Sequence, residues 1–353
     1  MQVPCVAVLK TSPKTVINDY SRLMHLAGYT DSITSIRDTA LNIDLSWHHF
    51  FPGNSTPPWQ LHGVLNTLIE DGFDSKRIYA CYGKKNGIST NKGQVLNRHT
   101  YVIERYGIES VHIDDTVNLI AYEPTTPLRV LPDIFKNGIK LPQKLVGCNC
   151  INLSTLKTDA IATVTGSANV LATILFDDKV LQSYPVLHEI LVDCIAIAKD
   201  IFSGIFTVMD GVFANEGPGP LSYMPHEKNI ILASNDLVAI DAVAATVMGF
   251  DPMAIPYIRI AHEAGLGNGD INCIGIVGEN LSDIAFNFKI KQPGMDYRIR
   301  SLEKFSFISG FSRFLTVLYN DFYWYVHVGE ERIKNALKGE WGDVFEKYRN
   351  TLE

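Results

Sequence analysis

The sequence predicts an α/β fold in two lobes, with mainly parallel sheets flanked by helices and an aromatic-rich helical arm at the C-terminus. Apolar runs of strand length alternate with amphipathic stretches of helix length over most of the chain, which is the pattern of strands joined by crossover helices. A proline-rich stretch, Glu123 to Pro142, holds Pro124, Pro127, Pro132 and Pro142 and reads as the junction between lobes. After about Asp283 the alternation stops and an aromatic run, Phe305 to Tyr325, follows. The 353 residues are enough for two lobes. The expected division is an N-terminal α/β lobe over 1–140, a second over 141–283 and the arm over 284–353.

Strands are expected near Val3 to Leu9, Leu41 to Leu45, Arg77 to Tyr82, Leu145 to Leu153, Ile205 to Met209, Asn229 to Ala233 and Ile274 to Val277. The clearest helix is Pro57 to Asp71: Val64, Leu65, Leu68 and Ile69 share a face, the two prolines suit a first turn, and Gly72 ends it. A second, Leu237 to Met248, starts after Asn235 and Asp236, either of which can cap it, and stops at Gly249. In the arm, Phe307, Phe311, Phe314, Tyr319, Phe322, Tyr323, Trp324 and Tyr325 are interrupted by Arg313, Asn320, Asp321 and His327. That spacing predicts a strap laid on the protein's own core, with most rings buried against the second lobe, and not a membrane anchor.

Thirty-one Lys and Arg against 38 Asp and Glu give a net charge of −7, so the basic footprint of a nucleic-acid binder is missing. The longest uncharged run, Ala160 to Phe176, is broken by polar residues and is shorter than the roughly 20 apolar residues of a membrane span. The start, Met1 to Pro13, lacks the pattern of a secretory leader, and a cytoplasmic address is expected. The six cysteines include no C-x-x-C pair, which argues against a zinc knuckle, an iron–sulfur cluster and an electron-transfer role.

Three segments carry candidate chemistry. In the first, a strand presents Lys157 and Asp159 on one face, and the turn after it gathers Thr163, Thr165, Gly166, Ser167 and Asn169 before a helix. Backbone N–H groups at a helix start, with hydroxyls and a lysine beside them, suit a carboxylate or phosphate. In the second, Asp210 and Glu216 follow an apolar strand, with Gly217 opening a tight Gly-Pro loop, and ligands of α/β sheets bind at carboxyl ends of strands. In the third, Asp241 stands among Val238, Ala239, Ile240, Ala242 and Val243, where an unpaired charge is costly, so it must meet water, a cation or donors. Lys157 is its expected partner, and Lys157, Asp159, Asp210 and Asp241 are expected in one cleft. His262, one turn before Gly265, joins as a ligand-binding candidate, while His188 reads as a helix-surface imidazole. No P-loop, G-x-G-x-x-G, H-E-x-x-H or G-x-S-x-G occurs.

These blocks resemble the family called domain of unknown function 362. Its strand ending in Leu-Lys-Thr-His, its Thr-Gly turn and its Lys-Asn pair correspond to Leu156 to Asp159, Thr165-Gly166 and Ala168-Asn169. Similar too are Asp210 to Pro220, Ser234 to Ala242, Ala261 to Gly267, and the entry Phe50 to Leu65 into the first long helix; the likeness spans about Thr39 to Glu279. Two departures stand out: Asp159 replaces the family's histidine and Ala168 its lysine. The cysteine-rich iron–sulfur segment of some relatives is missing. The resemblance implies a two-lobed α/β protein without naming a reaction.

The reading is a cytoplasmic enzyme that holds a small anionic molecule, a carboxylate or phosphate, in an inter-lobe cleft. Lys157 and the 163–169 turn would hold the anion, with Lys157, Asp159, Asp210 and Asp241 as catalytic candidates. Asp210, Glu216 and Asp241 would be ligands of a Mg-like divalent cation, since carboxylates suit such an ion better than zinc. The alternative is a binding or scaffold protein that kept the fold and lost catalysis, as the Asp159 and Ala168 departures allow.

Overall fold

The computed structural model describes residues 4–85, 87–113, 118–181, 184–219, 223–290, 315 and 318–349. Seven of its strands lie where the apolar runs place them: β1 (Cys5–Lys10), β2 (Thr39–Ile43), β3 (Ile78–Gly83), β7 (Asn149–Asp159), β9 (Gly204–Glu216), β10 (Met224–Ser234) and β11 (Gly275–Gly278). Four more are short: β4 (Glu109–Ile113), β5 (Leu119–Tyr122), β6 (Ile139–Pro142) and β8 (Thr163–Val164). The main sheet runs β11-β1-β10-β9-β7-β2-β3-β4, with β8 paired to β7, while β5 and β6 form a separate two-stranded sheet.

From β9 through β7, β2 and β3 to β4 every pairing is parallel; β10 is antiparallel to both β9 and β1. Strands from both sides of the expected 140/141 boundary therefore share one sheet, since β7 is hydrogen-bonded between β2 and β9. The two bodies of apolar packing are the two faces of that sheet.

One face is covered by α1 (Val16–Leu26) and α2 (Pro58–Glu70), with α3 (Thr90–Leu96) and α4 (His99–Tyr106) beyond them. Tyr20, Leu23, Val64 and Leu68 pack there on Leu41, Ile43, Ile151, Leu153, Phe206 and Val208. The short α5 (Leu131–Ile134) lies on the opposite face, which carries α6 (Gly166–Leu175), α7 (Asp178–Leu181), α8 (Leu187–Ile201), α9 (Leu237–Val247), α10 (Pro256–Glu263) and α11 (Leu281–Ile284). Alternate strand residues serve the two faces, as the pleat requires: Met209, Ile230 and Leu232 one, Val208, Ile231 and Ala233 the other. Helix α9 is buried nearly all round, and Asp236 caps it by accepting from Val238 N at 2.8 Å and Ala239 N at 3.0 Å.

The C-terminal segment adds a π-helix (Leu318–Gly329), then α12 (Glu330–Ala336) and α13 (Glu340–Glu346). Trp324 is buried against Trp47, Phe51 and Tyr223, whereas Phe322 and Tyr323 are exposed. The described part of the aromatic run, in the π-helix, lies on the loop after β2 and buries one side of its stripe, while Trp341, Phe345 and Tyr348 of the last turns are buried on the face that carries α1 and α2. Phe305, Phe307, Phe311, Arg313 and Phe314 lie outside the described residues. Among the described residues no helix is long and apolar enough to cross a membrane.

Candidate functional site at the carboxyl ends of β2, β3 and β7

The helix after β2 covers one face of the sheet and the helices after β7 cover the other, although β2 and β7 are neighbours. A crevice opens at such a switch point, outside the carboxyl ends of the two strands, and this is where open α/β sheets bind ligands. Here the loop from Asp44 to Pro57 fills it, and most of that loop is buried. Buried backbone needs partners, and the loop finds them: Thr56 N donates to Asp44 O at 2.8 Å, Asp44 N to Thr56 Oγ1 at 3.0 Å, and Thr56 Oγ1 to Leu153 O at 2.7 Å. Gly53, with φ +71°, is obligatory there, because a Cβ would lie 2.2 Å from the Phe213 carbonyl oxygen.

Lys157 enters the crevice from the end of β7. Its ammonium donates to Asp44 Oδ2, to the Asn54 carbonyl oxygen and, at 3.2 Å, to Ser46 Oγ. The other Asp44 oxygen accepts from Ser46 Oγ at 2.7 Å and from Lys85 Nζ at 3.3 Å, Lys85 standing just beyond β3. Burial opposes the charge on Asp44, but Lys157 and Lys85 outweigh it and hold the carboxyl below its ordinary range. Burial pulls the Lys157 ammonium down against the attraction of Asp44. Asp44 is the carboxylate that meets both lysines, while Asp159, at the end of the same strand as Lys157, acts on that ammonium from farther off. Lys157 and Asp44 are 2% and 1% exposed, while Lys85 keeps 17% of its side chain in solvent. The Asn54 side chain is 1% exposed, and neither amide atom has a hydrogen-bond partner among the described residues. Unsatisfied buried amides mark places where a water or ligand is expected.

Asp210 does not reach this crevice. The strand expected to end at Met209 continues to Glu216, which leaves Asp210 in mid-strand facing α1 and α2. There Tyr20 Oη donates to its Oδ2 at 2.5 Å, Trp59 Nε1 at 2.9 Å, and Val212 N to Oδ1 at 3.1 Å. Burial pushes this carboxyl up to about 6 despite those donors. A folded pKa above the unfolded value of about 3.9 means that the native state keeps a proton the unfolded chain releases. Its stabilisation is complete below about pH 4 and is lost as pH rises through 6, by about 2–3 kcal/mol. Wild type should therefore lose that much stability relative to Asp210→Asn between pH 4 and pH 6.5, read from urea unfolding; parallel pH profiles would refute the assignment.

Asp241 lies on the opposite face of the sheet from Asp210 and is paired with donors, not with Lys157. Its carboxylate accepts from Ser167 N at 2.5 Å, Ala168 N at 3.1 Å and Tyr257 Oη at 3.0 Å. Burial raises its pKa to about 6, and the two N–H groups and the phenol resist that rise. The carboxylate therefore occupies the N-terminus of α6, the position expected for an external anion. Gly166, at φ +60°, is required because a Cβ would come within 2.6 Å of Asp241 Oδ2. Thr165 and Ser167 join the same packing: Thr165 N donates to Lys157 O at 3.0 Å and Ser167 Oγ to Leu237 O at 3.0 Å.

The remaining candidates are dispersed. Asp159 ends β7 and accepts from Ile161 N and Ala162 N, both at 2.8 Å, which closes the turn to Thr163. Burial pushes its carboxyl up, those two N–H groups pull it down, and the net shift is upward. Asn169 is half-buried on α6. Gly217 N donates to Thr158 Oγ1 at 2.9 Å. Glu216 pairs with His226 at 3.2 Å and accepts from Lys289 N, so Asp210, Glu216 and Asp241 lie in three places and form no common ligand set. His262 Nδ1 accepts from Gly269 N at 3.2 Å, next to the cap of α9. His188 is half-buried and stacks on Tyr257 with ring centres 6.2 Å apart.

Sequence reasoning passed over Asp44, Ser46, Asn54 and Lys85. Asp44 satisfied the rule applied to Asp210, a charge closing an apolar strand, but it was read as part of the strand itself. Farther along the same loop, His48 and His49 meet Asp321 of the π-helix. His48 Nε2 lies 3.2 Å from Asp321 Oδ2, and Trp47 Nε1 donates to Oδ1 at 3.0 Å. Burial opposes the Asp321 charge, but His48 and the Trp47 N–H outweigh it and lower the carboxyl pKa. Burial, His48 and Lys92 push the His49 imidazole down to about 4 against the pull of Asp321.

This architecture defines an α/β protein with its polar centre at a switch point of the parallel strands. The chain belongs to the family described as "Domain of unknown function (DUF362)", whose model matches residues 41–246. That range runs from β2 into α9 and takes in Asp44, Lys85, Lys157, Asp210 and Asp241, but not His262 or the C-terminal arm. The chain is also similar to "Thylakoid-associated protein sll1697" of Synechocystis sp. (strain ATCC 27184 / PCC 6803 / Kazusa), being 35% identical over 71 residues. The match covers 20% of this chain and 21% of that relative, so the chain spans about a fifth of the relative's length.

Proposed function

We propose that the protein is an enzyme that takes a small anionic metabolite, a carboxylate or phosphate, at the mouth of the β2–β7 crevice, with Lys85 as the contacting cation. The observation that carries this reading is the pairing of two lysines with the single carboxylate of Asp44 at the switch point of the sheet. Lys157 uses its donors inside the protein and fixes Asp44, while Lys85 retains access to solvent and charge to share. A cation that stands over buried, low-dielectric protein attracts an oppositely charged ligand more strongly than the same charge surrounded by water. The 163–169 turn has no part in this version of the site, because Asp241 fills the helix end.

The test compares wild type with Lys85→Met against inorganic phosphate and a panel of small mono- and dicarboxylates, by thermal shift and calorimetry. At least one anion should raise the melting temperature of wild type and leave Lys85→Met unmoved. Failure of every anion on wild type, or an undiminished shift in the variant, would refute the reading. A non-catalytic binding protein is favoured by one observation: at Asp159, one of the two departures from the family pattern, the carboxylate is spent on closing its own turn. Recovery of the bound anion unchanged after long incubation with cell extract as cosubstrate source would select that reading, and product formation would exclude it.

A further inference from the structure

We propose that His48, His49 and Asp321 bind a divalent transition-metal ion of the zinc type. The three residues each offer one ligand atom, and these atoms lie within 4.8 Å of one another. His48 Nε2 and Asp321 Oδ2 are 3.2 Å apart. Two ligands about 2.0–2.1 Å from one tetrahedral ion stand ~3.3 Å apart, so this pair is already spaced to share a metal. Two imidazoles with one carboxylate suit zinc, iron, cobalt, nickel or copper and not magnesium, which prefers oxygen ligands alone.

The surroundings fit the same ion. Trp47 Nε1–H donates to the other Asp321 oxygen, which orients the carboxylate as outer groups around metal ligands do. The walls are aromatic: His49 stacks on Tyr325 with centres 4.1 Å apart, Trp47 meets His49 edge-on at 5.1 Å, and Trp324 lies 6.0 Å from Trp47. His48 is 5% exposed, yet its Nδ1 has no hydrogen-bond partner among the described residues. An unpartnered buried ring nitrogen marks a place for a water, ion or ligand. Asp321 sits in the π-helix, a helix type that recurs at functional sites. Three protein ligands leave a coordination position open for water or a ligand atom, the arrangement of catalytic and not of closed structural zinc sites. The ion would also fasten the arm to the loop after β2, since it draws two ligands from one and one from the other.

This site uses none of the atoms assigned to the anion, so either proposal can fail alone. The experiment is titration of chelator-treated full-length protein with Co2+ and Zn2+, followed by visible absorption, calorimetry and melting temperature. Wild type should take one equivalent of Co2+ with the intense visible bands of a low-coordinate site, displaced by Zn2+, and its melting temperature should rise with Zn2+ but not with Mg2+. His49→Gln, at a half-buried position, and Asp321→Asn should each weaken binding at least about 100-fold, because even outer-shell losses weaken metal sites 10–100-fold. Absence of the Co2+ bands from wild type, or wild-type affinity in a folded His49→Gln or Asp321→Asn protein, would overturn the assignment.

Discussion

Lys157→Met should lower folding stability by about 3–5 kcal/mol, the cost of removing one partner from a buried ion pair. Asp44 would keep Ser46 and the more distant Lys85, but its nearest and deepest counter-charge would be gone. The Asn54 carbonyl oxygen would also lose its donor. Lys85→Met makes the contrast: Asp44 keeps Lys157 and Ser46, and losing one hydrogen bond to a charged group should cost on the order of 1.5–3 kcal/mol. Urea unfolding of the two variants checks both figures. If they destabilise equally, the division of labour between a structural lysine and an accessible one is wrong.

Asp241→Leu should be nearly as damaging, at about 3–5 kcal/mol, although an apolar replacement relieves a buried charge. The reason is what remains: Ser167 N, Ala168 N and the Tyr257 hydroxyl would be buried donors with no acceptor, each costing about 1–3 kcal/mol. Gly166→Ala should be destabilising for the complementary reason, because its Cβ would press on the same carboxylate from a left-handed backbone. Asp241→Asn keeps an acceptor and should fall between wild type and the leucine variant. Chemical denaturation of the three variants gives the order, and a stable Asp241→Leu protein would contradict it.

Much of the fold is legible in the residues because strand and helix periodicities are local signals. The seven apolar runs became strands, and Pro58–Glu70 and Leu237–Val247 became helices with the expected stops at Gly72 and Gly249. The partition into lobes was less legible: the prolines of 123–142 mark an excursion through β5 and β6, after which the chain returns to pair β7 beside β2. Sheet order is a long-range property that no local pattern carries.

The candidate site divides along the same line. Lys157 was found because a lysine in an apolar strand demands an explanation. Asp44 and Lys85, more than a hundred and about seventy positions away, became its neighbours only through the sheet order. Asp210 was misplaced for a different reason: β9 and β10 pair far beyond the apolar part of β9, so strand length was set by pairing and not by hydrophobic pattern. The Thr-Gly turn and the Asp241 helix looked like two ligand-binding motifs and are two halves of one internal cap.

Anion binding at Lys85 is decided by crystallographic density in protein crystallised with the anion that best raises its melting temperature. That ligand should lie within hydrogen-bond distance of Lys85 Nζ, at the carboxyl ends of β2 and β7, with Lys157 still paired to Asp44 beneath it. An anion bound at the 163–169 turn with Asp241 displaced, or elsewhere on the molecule with only water at Lys85, would contradict it.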